Sequence, residues 1–140
     1  EFRRVLFRSL LEFLGSENET VVVAQNAPFD LSFLIHAARV HGYVWPKYPV
    51  LDTAIIARKV LTRDEAPNCR LATLAEFFGA RTVPNHRALD DARATLDVLH
   101  GLIERLGTFD IYTLEELINF GKRVKRQKSP ESKPPTSEQG

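Results

Sequence analysis

Cysteine, net charge and long apolar runs are all scarce in this sequence. Cys69 is its single cysteine, so the chain cannot form an internal disulfide framework. No uninterrupted apolar run approaches the ~20 residues that a membrane span needs, and we therefore expect a soluble, cytoplasmic chain without a membrane partner. The formal net charge is only +1, which by itself indicates nothing about nucleic acid. With 140 residues, 44% of them hydrophobic, we predict one domain with a sizeable core.

The segment from Pro84 to Thr95 carries the most informative pattern. His86 precedes the pair Asp90-Asp91, which opens a long amphipathic helix. Apolar residues at intervals of three and four predict a core-facing stripe of Leu89, Ala92, Leu96, Leu99, Ile103 and Leu106. The row predicted to be polar holds Asp90, Ala94, Asp97, Gly101 and Glu104. We expect Asp91, beside the stripe, to point inward to a partner such as a metal ion, and Asp90 to point outward.

A second segment places another carboxylate after a strand. Val21 to Val23 is a short β-branched run typical of a buried strand, and Pro28 suits the first residue of a helix. Asp30 then lies in a first helical turn, directly after the carboxyl end of the strand, where ligands gather in open α/β sheets. Asp30, Asp91 and His86 therefore form a plausible divalent-metal site. Ordinary helix starts and a loop histidine would produce the same residues.

These residues, in this order, resemble a known family. The chain contains the run Asn26-Ala27-Pro28-Phe29-Asp30-Leu31-Ser32-Phe33-Leu34, followed by Leu51-Asp52-Thr53 and then by His86 and Asp91. They resemble the second and third motifs of the DnaQ-like 3′–5′ exonucleases, the DEDDh group of the ribonuclease H-like fold, from roughly Leu11 to Leu106. The resemblance implies an α/β fold with parallel strands and flanking helices.

The resemblance also implies a mechanism and a set of site residues. Nucleic acid, chiefly a single-stranded DNA 3′ end, would be hydrolysed with two Mg²⁺ or Mn²⁺ ions during replication proofreading or repair. Asp30 and Asp91 match two of the four acidic metal ligands. His86 matches the histidine that takes a proton from water, a role suited to imidazole, whose ordinary pKa lies near neutrality. Asn26 and Phe29 would shape the pocket for the terminal nucleotide.

The chain departs from the family at its start. It has no opening strand with the Asp-x-Glu motif, which supplies the other two acids. Residues 1–9 look like the in-frame translation of a sequencing adapter, although a basic helix start or a targeting segment remains an alternative. We therefore expect residues 10–107 to be an incomplete exonuclease domain whose first strands are missing. Such a fragment should bind metal poorly, show little activity and expose a sheet edge.

Two segments follow residue 107. Residues 108–121 predict one extra amphipathic helix that starts near Tyr112 or Thr113, and residues 122–140 combine a basic run with a composition typical of disorder. The basic run could contact phosphate or serve as a plain linker. This layout resembles bacterial proteins in which a DnaQ-like domain precedes a GIY-YIG endonuclease domain, although no GIY-YIG motif is present. A fused nuclease domain or a DNA polymerase is therefore an implied partner.

Three further residues or segments have structural interpretations. Asp52 could be a metal ligand on spacing alone, but Asp52-Thr53 favours a helix cap. The helix from Leu31 to His41 is apolar nearly all round, which predicts burial on more than one side. Trp45, in a proline-rich connection, is interpreted as a core or loop anchor rather than a base-stacking platform.

Two other function classes remain open. A non-catalytic domain that binds nucleic acid or a polymerase could keep the fold, although retention of His86 and both aspartates argues against it. A metal phosphohydrolase of the His-Asp type would need an adjacent His-Asp pair. None of the four histidines is followed by aspartate.

Overall fold

The structure, a computed structural model, describes residues 2–122 and has the mixed α/β architecture that the sequence predicts. Its main elements are α1 (Phe2–Leu14), β1 (Val22–Ala24), α2 (Ala27–Val40), β2 (Val50–Asp52), α3 (Thr53–Val60), α4 (Leu71–Phe78), α5 (Ala88–Leu106) and α6 (Leu114–Phe120). A 3₁₀ turn, Gly107–Phe109, links the last two helices. Of the predicted basic tail, only its first residue lies within the described range. None of the described helices is long and apolar enough to cross a membrane.

The sheet determines where the chain's polar loops meet. β1 and β2 are parallel, with Val22 opposite Val50 and Ala24 opposite Asp52. Within residues 2–122 the sheet consists of these two strands. Because parallel strands end at the same edge, the loops after Ala24 and Asp52 lie side by side. The β-branched residues Val22 and Val23 of β1 and Val50 of β2 favour this extended conformation.

Four helices and β2 share one hydrophobic core. Its buried members are Leu51, Ile56, Ala57, Val60, Leu61, Ala66, Leu74, Ala75, Val98, Leu99, Leu102, Leu106 and Leu117. The extra helix predicted after residue 107 is α6, and Leu117 packs it onto this core. A capping box between Thr113 and Glu116 starts α6. The backbone N–H of Tyr112, bonded to the Glu116 carboxylate, helps hold the pKa of that carboxyl below its usual range.

The predicted apolar stripe of α5 is right at Leu99 and Leu106, which are buried, and wrong at its other four residues. Leu89, Leu96 and Ile103 are 62%, 50% and 47% exposed. The residues that face the core are Ala94, Thr95, Val98, Leu99, Leu102 and Leu106. Helix α4 packs on the row predicted to be polar, where Ala94 is buried and the Phe78 ring lies against Gly101. Small residues allow this close approach, and they contribute little to a hydrophobic pattern.

The contact between Gly101 and Phe78 leads to a stability prediction. A Cβ at Gly101 would lie less than 3 Å from three ring atoms of Phe78. Alanine raises helix propensity by about 1 kcal/mol over glycine, but overpacking costs about 1–3 kcal/mol. We expect Gly101→Ala to lower the free energy of unfolding by up to about 2 kcal/mol in urea denaturation. Adding Phe78→Leu should recover part of the loss, and a stabilised single variant would contradict this packing.

Helix α2 also differs from its prediction. It begins at Ala27, next to the predicted start at Pro28, but only Ala27 and Ala38 are buried along it. Phe33 is 70% exposed, so the helix is not covered on several sides by the described residues. Hydrophobic composition predicts that a face should be covered, but it does not identify the covering element.

Helix α1 contains the segment interpreted as adapter-derived. Residues 2–9 form its first turns, and Phe7 is its one buried side chain. The Phe7 ring lies 6.0 Å from Tyr43 and 6.3 Å from Trp45, measured between centroids. Trp45 in turn meets Tyr48 edge to face at 5.4 Å. Trp45 therefore acts as a loop anchor, as predicted, and the α1 segment takes part in the packing.

Candidate functional site

A cleft of about 940 Å³ lies at the carboxyl edge of the sheet. Its lining consists of Val23, Gln25, Asn26, Asp30, Leu71, His86, Ala88, Asp91, Ala92, Thr95 and Leu96. Four of the five predicted site residues, Asn26, Asp30, His86 and Asp91, therefore meet in one place, although Asn26 and Asp91 lie 65 positions apart in the sequence. Phe29 does not line the cleft, and its side chain is 78% exposed.

Asn26 marks the turn from β1 into α2. Its backbone has a positive φ of 63°, a left-handed conformation that asparagine tolerates better than most residues. Its side chain makes no capping hydrogen bond to α2. Instead, the backbone N–H groups of Asn26 and Ala27 donate to the Asp52 carboxylate, at 3.1 and 2.9 Å. The Asn26 amide thus stays available to the cleft.

Asp52 is a helix cap, as predicted, and also joins the two strand ends. Its carboxylate accepts hydrogen bonds from the N–H groups of Ala54 and Ile55, at 3.0 and 3.4 Å. With the two bonds from the β1–α2 turn, it collects four backbone donors while only 4% exposed. Because both of its oxygens face backbone amides, Asp52 has a structural role.

Asp30 lies in the first turn of α2 and is exposed on the wall of the cleft. Its carboxylate makes no hydrogen bond or ion pair with any residue between 2 and 122. The unsatisfied N–H groups and the dipole of the helix start favour a negative charge there. A solvent-facing carboxylate of this kind can accept a cation.

Asp91 folds the loop that carries His86. Its Oδ1 atom accepts hydrogen bonds from the backbone N–H groups of Asn85 and His86, at 3.1 and 3.2 Å. Asp90 also binds this loop, through the Asn85 side-chain amide at 2.8 Å. Asp91 lines the cleft and Asp90 does not, in agreement with the predicted inward and outward orientations. Both side chains are nevertheless half-buried, so Asp90 is less exposed than predicted.

His86 has a constrained backbone and an exposed side chain. Its φ is 66°, in the left-handed region that non-glycine residues rarely adopt. The bond from its N–H to Asp91 helps to hold that conformation. Backbone conformations of this kind persist where surrounding contacts impose them, and they cluster at functional sites. The imidazole is thereby presented at the cleft next to Asp91.

Gln25 is a site residue that the sequence analysis does not identify. Its side-chain amide donates to the Cys69 carbonyl and accepts from the Thr53 hydroxyl. It therefore connects the end of β1 to α3 and to the loop before α4, and it lines the cleft. Its position at the carboxyl end of a strand is the one signal that could have identified it.

The cleft fits divalent metal in donor type but not in donor number. Asp30 and Asp91 offer the hard oxygen donors that Mg²⁺ and Mn²⁺ take. The second oxygen of Asp91 accepts no hydrogen bond from the part of the chain that the structure describes. Within that same part, no three His, Cys, Asp or Glu side chains are placed to hold one ion together.

Curated relatives of this chain include both nucleases and polymerases. A Mycobacterium tuberculosis protein, whose name describes a bifunctional exonuclease/endonuclease, is 53% identical over 109 residues, which are 78% of this chain and 16% of that protein. PolC-type DNA polymerases III of Caldanaerobacter subterraneus and Thermotoga petrophila are 35% and 34% identical. Those matches cover 77% and 86% of this chain, and 8% and 9% of the polymerases. No solved structure matches significantly.

The chain thus spans less than a fifth of these relatives' length. A family-level match covers the region that holds the sheet, the cleft and most of α5. Residues 6–99 match the RNase_T family, described as exonuclease. Since this match includes more than half of the chain, the protein belongs to the RNase_T exonuclease family.

Proposed function

We propose that this chain is part of a DEDDh-type 3′–5′ exonuclease that hydrolyses phosphodiester bonds at single-stranded DNA 3′ ends. The observation that carries the proposal is the meeting of Asn26, Asp30, His86 and Asp91 in one cleft. Two acidic oxygen donors beside an exposed imidazole suit metal-assisted hydrolysis, in which a water attacks phosphorus. Membership of an exonuclease family supports the same reaction class.

His86 would act as the general base. Imidazole can take a proton from the attacking water near neutral pH, and the exposed ring at the cleft is accessible to water. Asp91 would fix the His86 backbone through its N–H and offer its second oxygen to a metal. Bound Mg²⁺ or Mn²⁺ would neutralise charge on the phosphate and on the leaving 3′ oxygen. Asp30 and Asp91 would hold these ions.

Asn26 and Phe29 would bind the terminal nucleotide. The Asn26 amide is free of capping bonds and lines the cleft, where it can reach polar atoms of a nucleotide. Phe29 is exposed one position before Asp30 and outside the cleft lining, which suits a stacking contact with a base better than a pocket wall.

The chain would need a further strand to become active. β1 has a strand partner on one side only within residues 2–122, and the exposed Leu96 lines the cleft together with Val23 of β1. We propose that a strand with an Asp-x-Glu pair lies along this edge and supplies the missing acids. Without it, the chain should hold metal weakly, show little activity and tend to associate through the unpaired edge.

The experiment compares this chain with a version extended upstream by a strand bearing Asp-x-Glu. Both are incubated with a 3′-labelled single-stranded oligonucleotide, with and without Mn²⁺. We expect only the extended protein to release the label, and only with metal. Release by the unextended chain would contradict the requirement for four acids. Failure of both proteins would favour a binding domain, which the small number of assembled metal donors also allows.

The surrounding protein would be a replication or repair enzyme. The polymerase names of several relatives support association with a DNA polymerase, and thus proofreading. The bifunctional name of the Mycobacterium tuberculosis relative supports fusion to an endonuclease domain, for which GIY-YIG is our candidate. Cleavage assays on the full-length parent, with a 5′-labelled duplex and a 3′-labelled single strand, would distinguish the two arrangements.

A further inference from the structure

A groove leads away from the cleft along the start of α3. A cavity of about 650 Å³ beside the cleft and a shallower one of about 350 Å³ share Asn26, Ala54 and Cys69 in their linings. The first cavity includes Arg70 and His86, and the second extends to Arg58. We call this continuous surface, from Arg70 past Cys69 and Ala54 to Arg58, the arginine groove.

The arginine groove carries positive charge that the described residues do not neutralise. Arg58 and Arg70 are exposed, and neither forms an ion pair with any residue from 2 to 122. Lys59, although nearby, is occupied, because its ammonium donates to the carbonyls of Phe120 and Lys122. Asp52, the acidic residue in the lining beyond the cleft, is buried against backbone amides. The groove therefore presents two exposed guanidinium groups to an anion.

The wall of the groove is held by its own hydrogen bonds. The Asn68 side-chain oxygen accepts from the Arg70 N–H at 3.0 Å and from the Thr73 hydroxyl at 2.7 Å. Gln25, which also lines the cleft, donates to the Cys69 carbonyl. The loop that carries Arg70 is thus tied to the end of β1, and the groove keeps its position relative to the cleft. A fixed position lowers the entropy cost of binding an extended ligand.

We propose that the arginine groove binds the nucleic-acid strand upstream of the nucleotide being removed. Successive phosphates would meet Arg70 and then Arg58, and the small side chains of Ala54 and Cys69 between them would let the backbone approach. The substrate class is then a single strand of several nucleotides rather than a mononucleotide or dinucleotide. This inference rests on the proposed function, because it places the 3′ end in the cleft.

The first test measures binding to the 140-residue chain in Ca²⁺, with oligothymidylates of eight and two nucleotides. Each phosphate contact on a single strand contributes about 0.7 to the slope of log K against log salt, or about fivefold in affinity at 0.1 M salt. For Arg58→Gln with Arg70→Gln, we expect about 25-fold weaker binding of the eight-mer and a slope smaller by about 1.4. Binding of the two-mer should not change.

The matched control is Arg63→Gln, which removes an exposed arginine that lines neither the groove nor the cleft. It should leave both affinities within about twofold, after allowance for non-specific steering. Equal losses in the control and the double variant would overturn the proposal, as would equal losses for both oligonucleotides. Absence of eight-mer binding by the unmodified chain would also overturn it.

The second test uses the single cysteine as a position marker. An oligonucleotide carries a pyridyl disulfide tether on a phosphate near its 3′ end, or on its 5′ end in a control. If the strand follows the groove, the Cys69 thiolate attacks the near tether, forms a protein–DNA disulfide and releases pyridine-2-thione. Cys69→Ser should remove the cross-link. Equal cross-linking from both tethers would contradict the proposed path.

These measurements separate the groove from the reaction. If the double variant weakens binding but the extended protein trims nothing, the groove stands and the exonuclease proposal is wrong. If the extended protein trims the strand but the double variant binds the eight-mer normally, the exonuclease proposal stands and the arginine-groove proposal is wrong.

Discussion

Replacing His86 with alanine should lower the turnover of the upstream-extended exonuclease at least ~100-fold, because a positioned general base contributes about that factor or more. The substrate affinity measured in Ca²⁺ should stay nearly constant, since the imidazole would act on the water rather than on the strand. The assay is single-turnover release of a 3′ label in Mn²⁺. Added imidazole should restore part of the rate, because the vacated position opens to the cleft.

The conformation of His86 determines the controls. Its positive φ makes alanine less suitable there, so part of any loss could come from the backbone. His86→Asn tolerates the left-handed conformation and should be equally inactive with normal stability. His100→Ala, at an exposed position on α5, should keep full activity. Retained activity in both His86 variants would remove this residue from the base role.

Replacing Asp52 with alanine should lower the free energy of unfolding by about 3 kcal/mol. The loss of a helix cap costs about 1 kcal/mol, and each backbone N–H left without a partner in a buried position adds a further penalty. Four backbone donors converge on this carboxylate, and the bond from Ala27 is buried while the other three are partly buried. Urea denaturation, with the slope checked for two-state behaviour, measures the change.

The comparison for Asp52 is Asp64→Ala, an exposed loop residue that should shift stability by less than about 0.5 kcal/mol. Asp52→Asn should fall between them, because one amide oxygen can replace only part of the acceptor capacity. Since Asp52 also holds the turn that contains Asn26, the alanine variant should bind oligonucleotides more weakly than its stability alone explains. A loss of less than about 1 kcal/mol in the free energy of unfolding for Asp52→Ala would contradict the role of Asp52 in joining the two strand ends.

Local signals predicted most of the secondary structure. β1 lies within one residue of the predicted run from Val21 to Val23, and α2 begins next to the predicted start at Pro28. Asp52 caps α3, as predicted, and α6 begins directly after Thr113, where its start is predicted. These features depend on residues within one or two turns of each other, so the sequence contains the information in consecutive positions.

Features that depend on distant segments were predicted less well. The predicted α5 stripe shares only Leu99 and Leu106 with the buried face, because the packing of Phe78 on Gly101 leaves almost no hydrophobic signal. Whether an apolar helix face is buried depends on the elements that pack against it. Residues 2–122 leave leucines of α5 and one face of α2 exposed. Phe29 lies outside the cleft lining with an exposed side chain, so its contact with the terminal nucleotide stays a prediction.

By itself, the sequence determined the residue types of the site, their order, and the helix starts that carry Asp30 and Asp91. The tertiary structure decided how they meet. Parallel pairing of β1 and β2 brings two loops to one edge, and the Asp52 carboxylate ties those loops together through backbone amides. The physical reason is that spacing along a chain specifies a helix or a cap within a few residues. Which side chains share a cleft depends on packing between segments far apart in sequence.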